Sequence, residues 1–351
     1  MQRTRVVKLK TGKVRQDAPN SATVVLELPA GGLPRPFKDL FVENYGRIRD
    51  VCEEYKRRGL AIVATDNTGV AGTACISAKK GRINAAIIGR HGMTDLYLES
   101  DPALSLRHLV VLLHPMQDGE DLRYRVLDLR TGTAFCDEHG RRLEAIEAEG
   151  PVFVRCGSYT LFFIPTEEEG TPWPEDAEAG WQCIPERVYL DDAPAEPDRW
   201  LRRKLQALWG GVLDEPADKQ RRRTIVQTVR GPARACRRLV DDDDEPLGEL
   251  QIFSGDSQST IVIGKSAARA GILFGRYERC DNDGLPVLSN PRISRVHLLL
   301  IEVRDTVYAI DTASINGVWR DEEEVRLTVL QPGQKLRLGD NLASLHWRLS
   351  H

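Results

Sequence analysis

The chain has no cysteine pattern. Cys52, Cys75, Cys136, Cys156, Cys183, Cys236 and Cys280 are scattered, odd in number and never spaced C-x-x-C. That excludes a disulfide framework and a zinc ribbon, and it fits reduced thiols in a cytoplasmic protein. No apolar run reaches the roughly 18–20 residues of a membrane helix. The start, Met1-Gln2-Arg3-Thr4-Arg5, has no apolar core, so neither a membrane partner nor a leader peptide is expected. An excess of one charge is also lacking: the formal net charge is −3 with 29% charged residues. Nothing global therefore directs the chain to nucleic acid. P-loop, G-x-S-x-G, H-E-x-x-H and kinase motifs are absent. Cys136-Asp137-Glu138-His139 could ligate a metal by type, but these residues are adjacent in a turn and lack partners. The expectation is no catalytic residue, no metal and no cofactor.

What is present is a series of short strand-like segments separated by Gly, Asn, Asp and Pro. Leu60 to Thr65, Thr73 to Ser77, Ala85 to Ile88, Leu109 to Leu113, Tyr124 to Leu127, Val152 to Arg155 and Thr160 to Ile164 form one group. Leu298 to Val303, Val307 to Ile310, Lys335 to Leu338 and Ser344 to Leu349 form another. Such texture predicts an all-β fold of sandwiches. The two groups also share landmarks. Gly89-Arg90 parallels Gly275-Arg276, and Ser105-Leu106-Arg107-His108 parallels Ser294-Arg295-Val296-His297. Tyr124 to Asp128 parallels Val307 to Asp311. Landmarks recurring roughly 180–190 residues apart, in order, predict an internal repeat.

The sequence therefore divides into a loose N-terminal arm able to form a hairpin (1–35), a helix (36–58), a first β domain (59–165), a linker (166–247) and a second β domain (248–351). The helix is read from Leu40, Phe41, Tyr45, Ile48, Val51, Cys52 and Tyr55 at helical spacing, with Gly59 as its stop. Its stripe is expected to pack on the first sandwich. Thr166 to Pro197 is rich in Pro, Glu and Asp and reads as linker. Trp173, Trp181 and Trp200 are out of place in a free linker and suggest docking. Arg199 to Trp209 is a candidate short helix. Lys219 to Arg223 and Arg230 to Arg238 are basic, Asp241 to Glu245 acidic, and these runs read as solvated surface. Thr224, after three arginines, reads as an accessible kinase target.

The second domain gathers an arginine, a serine and an asparagine on inter-strand connections: Arg276, Ser294 and Asn316. A phosphorylated threonine presents near −2 charge and three strong acceptors. It is best held by a guanidinium fork with hydroxyl and amide donors beside it. Loops carried on a rigid sandwich provide such a platform. His297, followed by Leu298-Leu299-Leu300, reads as a core histidine, and Asn316-Gly317 is a strong turn signal.

This order of landmarks, through Leu330-Gln331-Pro332-Gly333 to Gly339-Asp340, resembles the forkhead-associated (FHA) domain, a phosphothreonine-binding β-sandwich. The resemblance spans most of Leu250 to Leu349. It implies phosphate contact by Arg276, Ser294 and Arg295, main-chain holding of the peptide by Asn316, and structural support from Gly275, His297 and Gly317. One departure is Ile315, where many members have a hydroxyl residue; Ser314 is a candidate substitute. The first repeat keeps Arg90 and Ser105 as a possible second site, with Thr131 in place of the asparagine. The fold class implied is two FHA-like sandwiches joined by a long Pro/acidic and basic linker, with one N-terminal helix. The function implied is a non-enzymatic phosphothreonine-peptide adaptor in Ser/Thr kinase signalling, its partners phosphothreonine proteins or the kinase. A phosphorylation-independent scaffold or dimerisation protein is the alternative, and a nucleic-acid-linked regulator a further one.

Overall fold

Leu109–Leu113 and Leu298–Val303 are buried along their whole length. A strand buried on both faces needs a layer on each side. The architecture, seen in a computed structural model, supplies both layers. The structure describes residues 35–117, 120–168, 170, 172–191, 223–235, 238–240, 244–280, 288, 290–339 and 341–349. The arm 1–34, the helix expected at Arg199 to Trp209, Trp200, Cys236 and Asp241 lie outside the described residues.

The fold is mostly β. In the first sandwich, one sheet runs in the order Gly69–Ser77, Gly59–Asp66, Tyr159–Thr166, Val152–Cys156, Phe135–Cys136, Arg142–Leu143. The facing sheet contains Ala145–Ala148, Tyr124–Asp128, Leu109–Leu113, Asn84–Gly89 and Leu96–Tyr97. Leu60, Ile62, Leu109, Val111, Tyr124, Leu161 and Phe163 fill the space between them. The second sandwich repeats the plan. Ala233–Arg234, Ile272–Phe274, Leu298–Val303, Thr306–Asp311 and Leu327–Val329 make one sheet. The other is built around Ser257–Gly264, Pro246–Ser254, Ala343–Leu349 and Lys335–Leu338. Its core holds Leu250, Ile252, Phe274, Leu298, Leu300 and Trp347.

Alternate residues of the middle strands point the other way and build a third core between the sandwiches. Ile87, Val110, Leu112 and Leu127 meet Leu273, Leu299, Ile301 and Ile310 there. The residues facing each other hold corresponding places in the two sandwiches. The seam is therefore an approximate two-fold contact within one chain, like the self-complementary patch of a dimer.

A fourth cluster covers the outer face of the first sandwich. Phe37, Leu40, Phe41, Tyr45, Ile48 and Val51 lie on Ala61, Val63, Phe153, Phe162 and Ile164, joined by Trp173 and Trp181. The apolar stripe is where the sequence puts it, but it is carried by two helices, Phe37–Glu43 and Tyr45–Glu54. The break falls at Asn44, whose Nδ2 donates to the Leu40 carbonyl at 2.8 Å; such side chains compete with helical backbone bonds. Gly59 opens a strand instead of capping a helix, and a Cβ there would stand 2.1 Å from the Ile76 carbonyl oxygen.

Several segments of the expected linker also differ from the sequence reading. Glu186–Leu190 pairs in parallel with Arg223–Thr228, which pairs with Ala145–Ala148. Both thereby extend the sheet of the first sandwich. A further helix, Ala177–Cys183, is capped by Asp176, which accepts from the Ala179 N–H at 2.7 Å. Thr224 is buried in its strand and packs on Gly150, so it is not the accessible residue that its three preceding arginines suggest.

The seam generates a stability prediction. Leu299→Ala removes a fully buried side chain from between two rigid sheets and should cost about 2–5 kcal/mol. Chemical denaturation of the full chain, monitored by tryptophan fluorescence, checks it. A loss under about 1 kcal/mol contradicts the described packing.

Candidate functional site

Three connections at one end of the second sandwich are stitched together. Gly275-Arg276 follows Ile272–Phe274, Arg292 to Val296 leads into Leu298–Val303, and Thr312 to Gly317 leaves Thr306–Asp311. The Arg276 N–H donates to the Ser294 carbonyl at 3.2 Å. The Ile315 N–H donates to Ser294 Oγ at 3.1 Å, and Asn316 Nδ2 to the Arg292 carbonyl at 2.6 Å. Gly275 permits the first approach, because a Cβ there would lie 2.1 Å from the Arg295 carbonyl oxygen. Gly317 has φ +69°, and the Glu324 carboxylate fills the place a Cβ would take.

His297 ties the loops from beneath. It is fully buried, and its Nδ1 accepts from the Ser294 N–H at 3.1 Å. That assigns the ring proton to Nε2, which donates to the Gly317 carbonyl at 2.9 Å. Both bonds are made by the neutral ring. Burial is the largest influence and lowers its pKa, opposed by the Gly317 bond.

Above this support two guanidinium groups are open, while Ser294 is buried at the base of the loops. Arg276 and Arg295 are exposed, and among the described residues neither side chain has a partner. Ser294 uses Oγ as an acceptor, which leaves its O–H to donate. Asn316 spends an N–H on Arg292, while its Oδ1 has no partner among the described residues. Two exposed guanidinium groups on connections that also carry a hydroxyl and an amide suit an anionic group in an extended segment. Ile315 is 64% exposed and contributes only an apolar surface. Ser314 does not replace the missing hydroxyl: it is fully buried and its Oγ is unpartnered.

Residues 272–339 match the family model of the FHA domain. Among solved structures, Mycobacterium tuberculosis Rv1747 FHA-1 is 24% identical, covering 30% of this chain and 99% of that one, with a TM-score of 0.25. The FHA domain of the Chlamydia trachomatis CT664 protein is 19% identical, with coverages of 30% and 99% and a TM-score of 0.26. Mycobacterium tuberculosis EmbR in complex with a low-affinity phosphopeptide is 22% identical, covering 29% of this chain and 24% of that one, with a TM-score of 0.24. No curated protein matches the chain.

The first sandwich, outside the FHA match, repeats the backbone bonds of the second. Arg90 N–H donates to the Ser105 carbonyl at 3.0 Å, and Ser105 N–H to His108 Nδ1 at 3.0 Å. His108 Nε2 lies 3.4 Å from the Ala134 carbonyl, as His297 bonds Gly317. Asp128 accepts from the Thr131 N–H as Asp311 does from the Ser314 N–H. These bonds fix the correspondence: Thr131 stands where Ser314 does, and Thr133 stands in the place of Asn316. The sequence reading that gave Thr131 the asparagine's place is thus off by two residues. Nothing in Leu129 to Thr133 marks the register, because the Asn-Gly pair that anchors it in the second loop is missing. Arg90 is also tied down, its Nε donating to the Leu104 carbonyl at 3.2 Å. Of the remaining polar candidates, Asp137 is engaged by Arg141 and Glu138 by Arg187.

The buried histidines set a pH dependence. Burial pushes His108 down to about 4 and lowers His297 and His114 as well. An unfolded histidine takes up a proton near 6.5. Protons therefore favour the unfolded chain below that pH, so stability is full above 6.5 and falls as pH drops toward the folded values. Asp128, raised to about 6 by burial, and Glu149, also raised by burial, act with the opposite sign but are two groups against five, since burial lowers His91 and His346 too. The thermal midpoint should fall between pH 7 and pH 5, and scanning calorimetry reads it. A midpoint that holds or rises over that interval contradicts neutral burial of these rings.

Proposed function

We propose that the chain is a phosphothreonine-peptide-binding adaptor in Ser/Thr kinase signalling, and that its second sandwich is the reader. The observation that carries the reading is the exposed Arg276, its N–H bonded to the Ser294 carbonyl, in loops held by a neutral His297 inside the region that matches the FHA domain. Arg276 and Ser294 clamp phosphate, Arg295 adds charge at the rim, and Asn316 Oδ1 accepts from the peptide main chain. Partners are phosphothreonine-bearing proteins or the kinase itself. The chemistry is recognition, since the site offers donors and no nucleophile paired with a base. The first sandwich is a second copy of the same plan, with Arg90 turned to its own loop and Thr133 too short to grip a main chain as asparagine does.

A phosphorylation-independent scaffold is the second reading, favoured by the exposed apolar Ile315. Calorimetry separates the two. The full chain is titrated with a phosphothreonine peptide chosen from a library and with its unphosphorylated twin. Phosphorylation should tighten binding, and Arg276→Ala should weaken the phosphorylated complex by about ten-fold or more, from the loss of a charge-assisted contact. Equal binding of both peptides, or no effect of Arg276→Ala, supports the scaffold.

A further inference from the structure

The S-x-x-H stretch of the first sandwich contains an arginine that leaves its own domain. Arg107 is only 6% exposed, and its guanidinium lies against the recognition loop of the second sandwich. Its Nε donates to the Ala313 carbonyl at 2.8 Å, and its Nη2 donates to the same oxygen. Ala313 is a non-glycine residue in the left-handed region, φ +60°. Such a conformation persists where the surroundings over-determine it. Here Asp311 holds one side of the turn by accepting from the Ser314 N–H at 3.0 Å, and Arg107 holds the other through the carbonyl just before Ser314. One residue further on, the Ile315 N–H bonds Ser294 Oγ, and Asn316 follows. The carbonyl gripped by Arg107 is thus two residues from a bond that orients the Ser294 hydroxyl.

The seam contains the reciprocal contact. Arg279 of the second sandwich donates Nη1 to the Arg130 carbonyl at 3.2 Å and lies on Gly132. Arg130 has φ +55° and holds the place in the first loop that Ala313 holds in the second, two residues after the loop's aspartate. Each sandwich sends one arginine to the left-handed residue of the other's loop. Of the two loops so held, the one that Arg107 grips carries Asn316, whose side-chain oxygen has no partner among the described residues.

We propose that Arg107 is a positioning residue for the second sandwich's recognition loop, so that the first sandwich contributes to ligand affinity without touching the ligand. This rests on the reading of that loop as a phosphopeptide site. Displacements well under an ångström matter to hydrogen bonds of fixed geometry, and a loop grip on one side only leaves Ser294 and Asn316 free to drift. Without Arg107 the Ala313 carbonyl also loses its buried donor.

The test uses the full chain and three variants: Arg107→Ala, Arg107→Lys and Arg279→Ala. Binding of the wild-type-selected phosphothreonine peptide should weaken about ten-fold in Arg107→Ala, partly recover in Arg107→Lys, and stay within about two-fold in Arg279→Ala. Lysine keeps one charged donor, so it also covers the case in which the alanine variant does not fold. Amide hydrogen exchange of the free chain gives a readout that needs no ligand. Arg107→Ala should speed exchange at Ser314 and Ile315, while Arg279→Ala should speed it at Thr131 and Thr133. Unchanged exchange at Ser314 and Ile315 in both Arg107 variants overturns the proposal. So does an equal loss of affinity in Arg279→Ala, which would reduce Arg107 to general seam packing. A wild-type chain that binds no phosphopeptide sinks the functional reading alone, and the exchange measurement then decides the loop-holding role.

Discussion

Sheet-on-sheet burial between the sandwiches is the constraint from which the remaining features follow. Val110, Leu112, Leu299 and Ile301 have no other way to leave water, because their neighbours along each strand already fill the sandwich cores. At about 25 cal/mol per Å² of apolar area, a row of such residues outweighs any single polar contact at its rim. The polar groups are arranged around that fact. Arg125 pairs with Glu147 at 2.6 Å in the buried part of the seam, and its Nη1 reaches the Arg269 carbonyl of the second sandwich. Arg326 pairs with Asp95 and Arg304 with Glu120 nearer the surface. Buried and rim ion pairs of this kind add little net energy. Their use here is directional, since a slide of one sheet over the other would strand several of them.

The two loop sets share a backbone network and differ in what they expose. In both, a buried histidine bonds a serine N–H and faces a loop carbonyl, and an aspartate accepts from the N–H three residues on. The exposed side chains above this frame take no part in its bonds. Arg276 and Arg295 stand open, while Arg90 is folded back onto Leu104. The exposed side chains can therefore differ between the two loop sets while the hydrogen-bonded frame beneath them stays the same.

Much of this was legible in the sequence. Strand positions follow from short apolar segments between turn residues, and Leu109–Leu113 and Leu298–Val303 have the bounds that the pattern predicts. Five apolar residues in succession also signal burial on both faces. His297 reads as a core residue because three leucines follow it. What escaped depends on contacts distant in sequence. The pairing of Glu186–Leu190 with Arg223–Thr228 is parallel and bridges a long insertion, so composition shows only a linker. Thr224 looks accessible after three arginines until its strand is placed in a sheet. The position of Thr133 is set by hydrogen bonds, not spacing. Arg107 left one visible trace: it stands where the second copy has Val296, an arginine at a position that its sibling keeps apolar.

The seam also bears on what counts as the reading unit. The FHA match, residues 272–339, contains Leu299, Ile301 and Val303, which share a buried cluster with Val110 and Leu112 of the first sandwich. Cut free, that segment would present a contiguous apolar row to water, of the kind that drives association. Its loop from Thr312 to Gly317 would at the same time lose the Arg107 contact at Ala313. The hydrophobic and the polar consequence of separation thus fall on the same sheet and on the loop that leaves it. For this chain the physical unit that presents Arg276, Ser294 and Asn316 is both sandwiches together, even though all three residues come from one.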